Sequence, residues 1–348
     1  MDQLHEFQRR STTRIVVGQG AEAKLPEVAG ALRPDGVFVL HDPAVSALAT
    51  RVATALRGHT IAVDGGERVK RLERVGELAA RLQQSGATRG SLLIAVGGGT
   101  ISDLVGFLAA VYLRGVPFVV CATTTLAACD AALGGKNGVD LGGLKNRLGT
   151  IRQPDAVIAD PAWLQSLPDE AFREGLVEVV KKAAVLDATA FAELEALAPA
   201  LAARDVAATT TAIERAVTMK MGIVHADETE GDRRRALNFG HTIGHALESL
   251  ADGRLRHGAA VAIGMLAECR AAAVPDPVVA RLRTLLRRLS VATAVPPELN
   301  QAGELWHRAQ LDKKATRGNV PMYVPFAIGE GRLVSLTEPA LQRALHEA

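Results

Sequence analysis

Cysteine is scarce in this 348-residue chain. Cys121, Cys129 and Cys269 are the whole supply, and no C-x-x-C pair occurs. An odd, scattered set indicates neither a disulfide framework nor a cysteine metal site. Excess charge is missing too. Forty basic residues face 38 acidic ones, a net of +2, which gives no general case for a nucleic-acid partner. The longest apolar stretch, Leu104 to Leu113, is bounded by Asp103 and Arg114 and is too short to span a bilayer. The polar start, Met1 to Arg14, lacks the apolar core of a signal peptide. A soluble, cytoplasmic protein without membrane contact is expected. No internal repeat or low-complexity linker is visible, apart from Ala-rich sequence around residues 184–212.

What is present is core-forming material: 48% of the residues are hydrophobic, and the length suits two domains of ordinary size. Gly36–His41, Ser91–Val96 and Pro117–Ala122 read as buried strands, with helical spacing over Val69–Gln84 and Ile101–Leu113. Such alternation predicts a parallel sheet with helical crossovers, which binds nucleotides at strand carboxyl ends. Beyond Pro154 helical periodicity takes over, from Asp169 to Ala216 with a break at Pro199, then over Ile243–Cys269 and Pro277–Leu289. A strand-like run covers Val320–Ile328. The expected fold class is α/β. A Rossmann-like, parallel-sheet nucleotide-binding domain spans residues 1–158, and an all-helical metal- and substrate-binding domain spans 159–348. The active site is expected in the cleft between them.

Gly97-Gly-Gly99-Thr-Ile-Ser-Asp103 follows a strand and opens a helix, so its backbone N–H groups can hold a pyrophosphate. Ser102 replaces the last glycine of G-x-G-x-x-G, and a plain tight turn explains the segment about as well. Gly134-Gly-Lys136 and Gly-Leu-Lys145-Asn146 lie in a turn-rich stretch after Asp130. Their lysines can gather phosphate or carboxylate oxygens, although a solvated loop explains either one alone. The clusters Arg233-Arg-Arg235 and Lys313-Lys314 suit a small anionic substrate, or are solvated surface.

The richest segment is Asn238-Phe-Gly-His241-Thr-Ile-Gly-His245, followed by His257 and preceded by Glu178-Val-Val-Lys181. His241 and His245 are four apart, so on a helix they share a face. Imidazoles plus a carboxylate suit zinc or a related divalent ion. A satisfied core histidine is the blander alternative for each ring, and a surface ion pair for Glu178 and Lys181. The apolar neighbours Leu176, Val177, Val179 and Val180 argue against an exposed Glu178.

Together these residues resemble the sugar phosphate cyclase superfamily, and within it the 3-dehydroquinate synthase family most closely. The resemblance runs in matched order from about Gly65 to Ile328. Further markers are Tyr112-Leu-Arg114-Gly, Thr123-Thr-Thr-Leu, Lys220, Asp227-Glu228 and Leu-Asp-Lys313-Lys314. It implies NAD and one divalent metal ion, zinc or cobalt, as cofactors. Glu178, His241 and His257 match the metal ligands. Asp130, Lys181, Lys220 and Asn238 match residues holding substrate hydroxyls and carboxylate. Lys136, Asn146, Arg234 and His245 match the phosphate-side group, with Arg114 reaching in from the neighbouring subunit of a homodimer. One or both of Lys313 and Lys314 join them. The NAD positions are Asp42, Glu67, Lys70, Gly98, Gly99, Thr100, Asp103, Thr123, Thr124, Lys136, Lys145, Trp163 and Ser166.

Two positions depart from the family pattern on the cofactor side. Ala122 stands where proline usually precedes the threonine pair, and Ala44 where asparagine is often found. The implied reaction belongs to the shikimate pathway of aromatic amino acid biosynthesis. It takes 3-deoxy-arabino-heptulosonate 7-phosphate, a phosphorylated keto-acid sugar, to 3-dehydroquinate and phosphate. The steps are transient oxidation by NAD, phosphate elimination, re-reduction and intramolecular aldol closure. Rival readings are another cyclase (amino-dehydroquinate, valiolone or inosose type) and a metal-dependent alcohol or glycerol-phosphate dehydrogenase. A binding protein that has lost catalysis is a third. Arg234, Leu237 and Asn238 look like the dehydroquinate version.

Overall fold

A computed structural model describes residues 11–64, 66–142, 144–228, 233–311 and 320–346. Lys313 and Lys314 lie outside the described residues. The chain divides into two compact units, one running to Thr123 with Gly135–Asp160, the other made of Thr124–Gly134 with Pro161–Ala348.

The first unit contains β1 (Arg14–Val17), α1 (Leu25–Ala31), β2 (Val37–His41), α2 (Ser46–Leu56), β3 (His59–Ala62) and α3 (Leu72–Gln84). It continues through β4 (Leu92–Gly97), α4 (Gly99–Val111), β5 (Phe118–Ala122), β6 (Lys136–Leu141), β7 (Leu144–Ile151) and β8 (Ala156–Ala159). Six strands form one sheet in the order β1-β8-β5-β4-β2-β3, and every neighbouring pair is parallel. Strands β2, β4, β5 and β8 are buried along their whole length, which is why they read as unbroken apolar runs. The chain passes outward from β2 to β3, then returns to place β4 on the other side of β2. That reversal opens a crevice at the carboxyl ends of β2 and β4. Asp42 and the Gly97–Gly99 turn stand at its rim.

The glycine-rich stretch expected as a loop is instead an antiparallel hairpin of β6 and β7. Gly138 faces Gly149 across it, and a Cβ on Gly138 would sit 2.7 Å from the Leu148 carbonyl oxygen. Those glycines therefore serve close strand pairing.

The second unit begins with a π-helical turn, Ala127–Ala131, that carries Asp130. Its helices are α5 (Asp169–Leu186), α6 (Ala188–Ala202), α7 (Val206–Ala226), α8 (His241–Ala251), α9 (His257–Ala271), α10 (Asp276–Arg288) and α11 (Ala302–Gln310). A hairpin of β9 (Val320–Ala327) and β10 (Glu330–Leu336) follows, then α12 (Glu338–His346). The unit is thus helical with one antiparallel hairpin, the first strand of which is the strand-like run in the sequence.

Pro199 does not break the helical region. It lies inside α6, and the breaks fall where aspartates can cap the next helix. Asp187 Oδ1 accepts from the amides of Thr189 and Ala190, both at 2.9 Å, and Asp205 Oδ1 from Ala208 at 2.8 Å. Helices α8 and α9 approach so closely that a Cβ on Gly264 would lie 2.2 Å from the Gly240 carbonyl oxygen. Only glycine fits there.

Candidate active site

In the first unit, one buried lysine organises the expected cofactor residues. Lys70 Nζ donates to Asp103 Oδ2 at 2.8 Å and to Asn146 Oδ1 at 2.6 Å, with Glu67 Oε1 at 3.6 Å. Burial opposes its charge, but Asp103 and then Glu67 outweigh it and raise the ammonium above its usual range. The Thr100 hydroxyl donates to Glu67, and Asp42 Oδ1 accepts from the Ala44 amide at 2.9 Å. Gly98 precedes the first turn of α4 without a capping side chain, leaving that helix start open to an anion. Glu67, Lys70, Thr100, Asp103 and Asn146 are therefore one group. Asn146, matched to the phosphate side, makes its contact with Lys70. Lys136 and Lys145 are exposed, and Thr123 is buried just after β5.

Thr124, Trp163 and Ser166 belong to the second unit, where the Ser166 hydroxyl donates to the Trp163 carbonyl at 3.4 Å. Arg114 is exposed in the short 3₁₀ turn Tyr112–Arg114 that follows α4, with φ of 66° beside Leu113 at 47°. Two successive non-glycine residues in left-handed backbone are costly and need local support.

The second unit gathers Glu178 from α5, His241 from the start of α8 and His257 from the start of α9. Nε2 of His241 lies 3.6 Å, and Nε2 of His257 3.7 Å, from Glu178 Oε1. Ligands about 2.0–2.1 Å from a tetrahedral zinc stand roughly 3.4 Å apart, so these three atoms suit a shared ion. Both Glu178 oxygens are buried without a hydrogen-bonded partner among the described residues, although Lys181 Nζ forms an ion pair 2.5 Å from Oε2. A carboxylate 1% exposed, ion-paired to lysine but without a hydrogen bond among the described residues, suits a divalent ion as a further partner.

Protonation agrees with that use. Burial would raise the Glu178 carboxyl, but Lys181, then His241 and His257, hold it well below the usual carboxylate range. Burial, followed by the Lys181 charge, keeps His241 neutral. Its Nδ1 lies 3.2 Å from the Phe239 carbonyl, which leaves the Nε2 lone pair free. His257 Nδ1 lies 3.0 Å from Glu248 Oε2. Burial opposes charge on His257, but Glu178 and Glu248 overcome it and push the ring up to about 10. An incoming ion must displace that proton. His245, Glu248 and His257 also converge, but Glu248 already bonds the far nitrogen of His257, the usual role of a carboxylate behind a metal-bound ring.

Beside the triad stand charges of both signs. Lys182, fully buried, places Nζ 2.7 Å from Asp130 Oδ1, 3.7 Å from Glu178 Oε2 and 3.3 Å from the Cys129 carbonyl. Lys220 Nζ lies 3.0 Å from Asp130 Oδ1 and donates to the Asp130 carbonyl at 2.7 Å. Burial would raise Asp130, yet Lys182 and Lys220 hold it far below the usual carboxylate range. Burial pushes Lys220 down to about 8. Arg234, 2% exposed, donates to the carbonyls of Glu228 at 2.8 Å and Gly134 at 3.2 Å. Its Nε and the Asn238 side-chain nitrogen are buried without a hydrogen-bond partner among the described residues. Those orphaned donors suit an anion.

The expected residues of the second unit thus converge: Asp130, Glu178, Lys181, Lys220, His241 and His257. His245 is exposed, its ring centroid 5.0 Å from that of His241. A surface ion pair for Glu178 and Lys181 is excluded, since both are 1% exposed. Sequence reasoning missed Lys182 and Glu248. The signals were present: Lys182 lies four residues after Glu178, and Glu248 seven after His241 on the same helical face.

Two family models match consecutive parts of the chain: 3-dehydroquinate synthase N-terminal over residues 60–174 and 3-dehydroquinate synthase C-terminal over 175–315. The 3-dehydroquinate synthase of Solibacter usitatus is 42% identical over 82% of this chain and 81% of its own. That of Pyrobaculum islandicum is 36% identical over 97% of each. Among solved structures, the 2-epi-5-epi-valiolone synthase ValA of Streptomyces hygroscopicus, with NAD+ and Zn2+ bound, superimposes with a TM-score of 0.89. It is 26% identical and covers 99% of each chain. A 2-deoxy-scyllo-inosose synthase complexed with carbaglucose-6-phosphate, NAD+ and Co2+ gives 0.85 at 24% identity, covering 98% of this chain and 97% of its own, and shares the fold.

Proposed function

This chain belongs to the 3-dehydroquinate synthase family, and from that premise we propose that it converts 3-deoxy-arabino-heptulosonate 7-phosphate to 3-dehydroquinate and phosphate. The observation that carries the reading is the convergence of Glu178, His241 and His257 beside buried cations. Lys181, Lys182 and Lys220 carry three positive charges against two negative ones on Asp130 and Glu178. A site with that balance, before any ion is added, attracts a substrate bearing both carboxylate and phosphate.

A divalent ion on the triad supplies a Lewis acid for the substrate alcohol, and NAD+ supplies a hydride acceptor that is regenerated within the cycle. Lys181, Lys220 and Asn238 hold the hydroxyls and carboxylate of the substrate, and Asp130 fixes Lys220. Once the alcohol is a ketone, the neighbouring C–H is acidic and phosphate leaves when its proton is removed. Arg234, His245, Lys136 and Asn146 orient the departing phosphate, whose own oxygen can take that proton. Glu67, Lys70, Thr100, Asp103, Lys145, Asp42 and the Gly98–Gly99 turn serve the cofactor, with Thr123, Thr124, Trp163 and Ser166. These roles make the enzyme a carbon–oxygen lyase.

We propose further that it works as a homodimer. Val111 and Leu113, 47% and 42% exposed, lie just before the exposed Arg114, apolar surface that a second copy would cover. No helix among the described residues is long and apolar enough to cross a membrane.

Product mass tests the substrate assignment. Incubation with the heptulosonate phosphate, NAD+ and Co2+ should yield 3-dehydroquinate. Turnover of sedoheptulose 7-phosphate or glucose 6-phosphate instead would move the protein to the carbocycle-forming cyclases.

A further inference from the structure

Glu268 stands near the C-terminal end of helix α9, after the apolar run of residues 259–267, and none of its surface is exposed. Its partners are backbone amides. Oε2 accepts from Gly240 N at 2.8 Å and Oε1 from Ile243 N at 3.0 Å. These amides open α8, whose first residue is His241.

A helix start normally takes its cap from its own chain, most often Ser, Thr, Asp or Asn at the N-cap. Here that is impossible. The N-cap residue is Gly240 at φ 78°, and a Cβ there would meet Met265 Cγ at 2.4 Å. The close approach of α9 thus removes the local cap, and α9 returns one from Glu268. The bond therefore spans two helices, and each begins with one histidine of the triad, His241 on α8 and His257 on α9.

We propose that Glu268 is a positioning residue for the metal triad: by capping the first turn of α8 from α9, it presets the separation of His241 and His257. The inference rests on the reading that Glu178, His241 and His257 hold a divalent ion. A simple structural cap would stabilise the fold and nothing more. A positioning residue must also change how the ion is held, because misplaced supports behind a metal ligand weaken metal affinity by about 10–100-fold.

Glu268→Gln keeps the shape of the side chain but offers one acceptor oxygen where two amides need two. The metal-depleted full chain would be titrated with Co2+ against a competing chelator while the visible absorption of the ion is followed. Wild type, Glu268→Gln, His257→Ala and a distant core variant, Phe191→Leu, would be compared. Glu268→Gln should bind Co2+ about 10–100-fold more weakly, with an altered absorption band. Phe191→Leu should lower Tm and leave both readouts unchanged. Wild-type affinity and spectrum in Glu268→Gln would overturn the inference while leaving the metal reading intact. Failure of Co2+ to bind the wild type, or undiminished binding by His257→Ala, would overturn the metal reading and this inference with it. Should Glu268→Gln not fold, amide exchange of the metal-free wild type decides. The Gly240 and Ile243 amides should be protected before metal is added; exchange at the rate of a frayed helix start would contradict preset geometry.

Discussion

His257 Nδ1 stands 3.0 Å from Glu248 Oε2, and the two lie on successive helices, His257 opening α9 and Glu248 near the end of α8. That bond fixes which nitrogen of the ring faces Glu178. Glu248→Ala should therefore weaken metal binding by about 10–100-fold with little change in fold, as removal of such supporting carboxylates does elsewhere. Equilibrium dialysis against Zn2+ or Co2+ measures it. Unchanged affinity would leave Glu248 no part in orienting the ring.

Lys182 ties Asp130 to α5 from a fully buried position. Lys182→Met removes one cation and leaves Asp130 with Lys220. Breaking a buried pair costs about 3–5 kcal/mol, and the remaining Lys220 should keep the loss at the low end. Urea denaturation of the metal-free protein reads this directly. Turnover should fall as well, because Lys220 would then be drawn more closely to Asp130.

Lys220 sets an expected alkaline limit. Burial holds it down to about 8, so its ammonium is lost as pH rises through that value, and kcat/KM should fall with a midpoint near 8. Unfolding through this group would not explain the fall. Between about 8 and the ordinary lysine value of about 10.4, the unfolded chain binds more protons than the folded one, so Lys220 adds stability as pH rises. Lys220→Arg should move the limb upward. A limb that stays near 8 in that variant would assign it to another group.

If Arg114 reaches a neighbouring site, then Arg114→Ala and Lys136→Ala homodimers are both inactive, but their hybrid has one intact site. Random reassociation gives half hybrids, so about one quarter of wild-type activity should return. No recovery after unfolding and joint refolding would place Arg114 in its own subunit's site or in none.

Much of this was legible in the sequence because the controlling forces are local. Strands β2, β4 and β5 announce themselves as apolar runs, and Glu178, His241 and His257 lie in short ordered motifs. The boundaries at Asp187 and Asp205 were misread because Pro199 is a louder local signal than a capping carboxylate. The β6–β7 hairpin looked like a loop because its glycines answer to a partner strand rather than to a turn. Glu268 could not be read at all: its function lies in amides 25 and 28 residues away, brought close only by the glycine-lined packing of α8 on α9. Lys182 was hidden by its neighbour Lys181: both are buried, adjacent lysines on a helix point to different faces, and only their partners, Glu178 for Lys181 and Asp130 for Lys182, separate their roles.

The most direct measurement follows phosphate and nicotinamide absorbance together during turnover of the heptulosonate phosphate by the metal-loaded enzyme. Many phosphates should be released per bound NAD, with no net NADH, because the hydride returns within each cycle. NADH accumulating in step with substrate consumed, without phosphate release, would contradict the cyclase reading and make the protein a dehydrogenase.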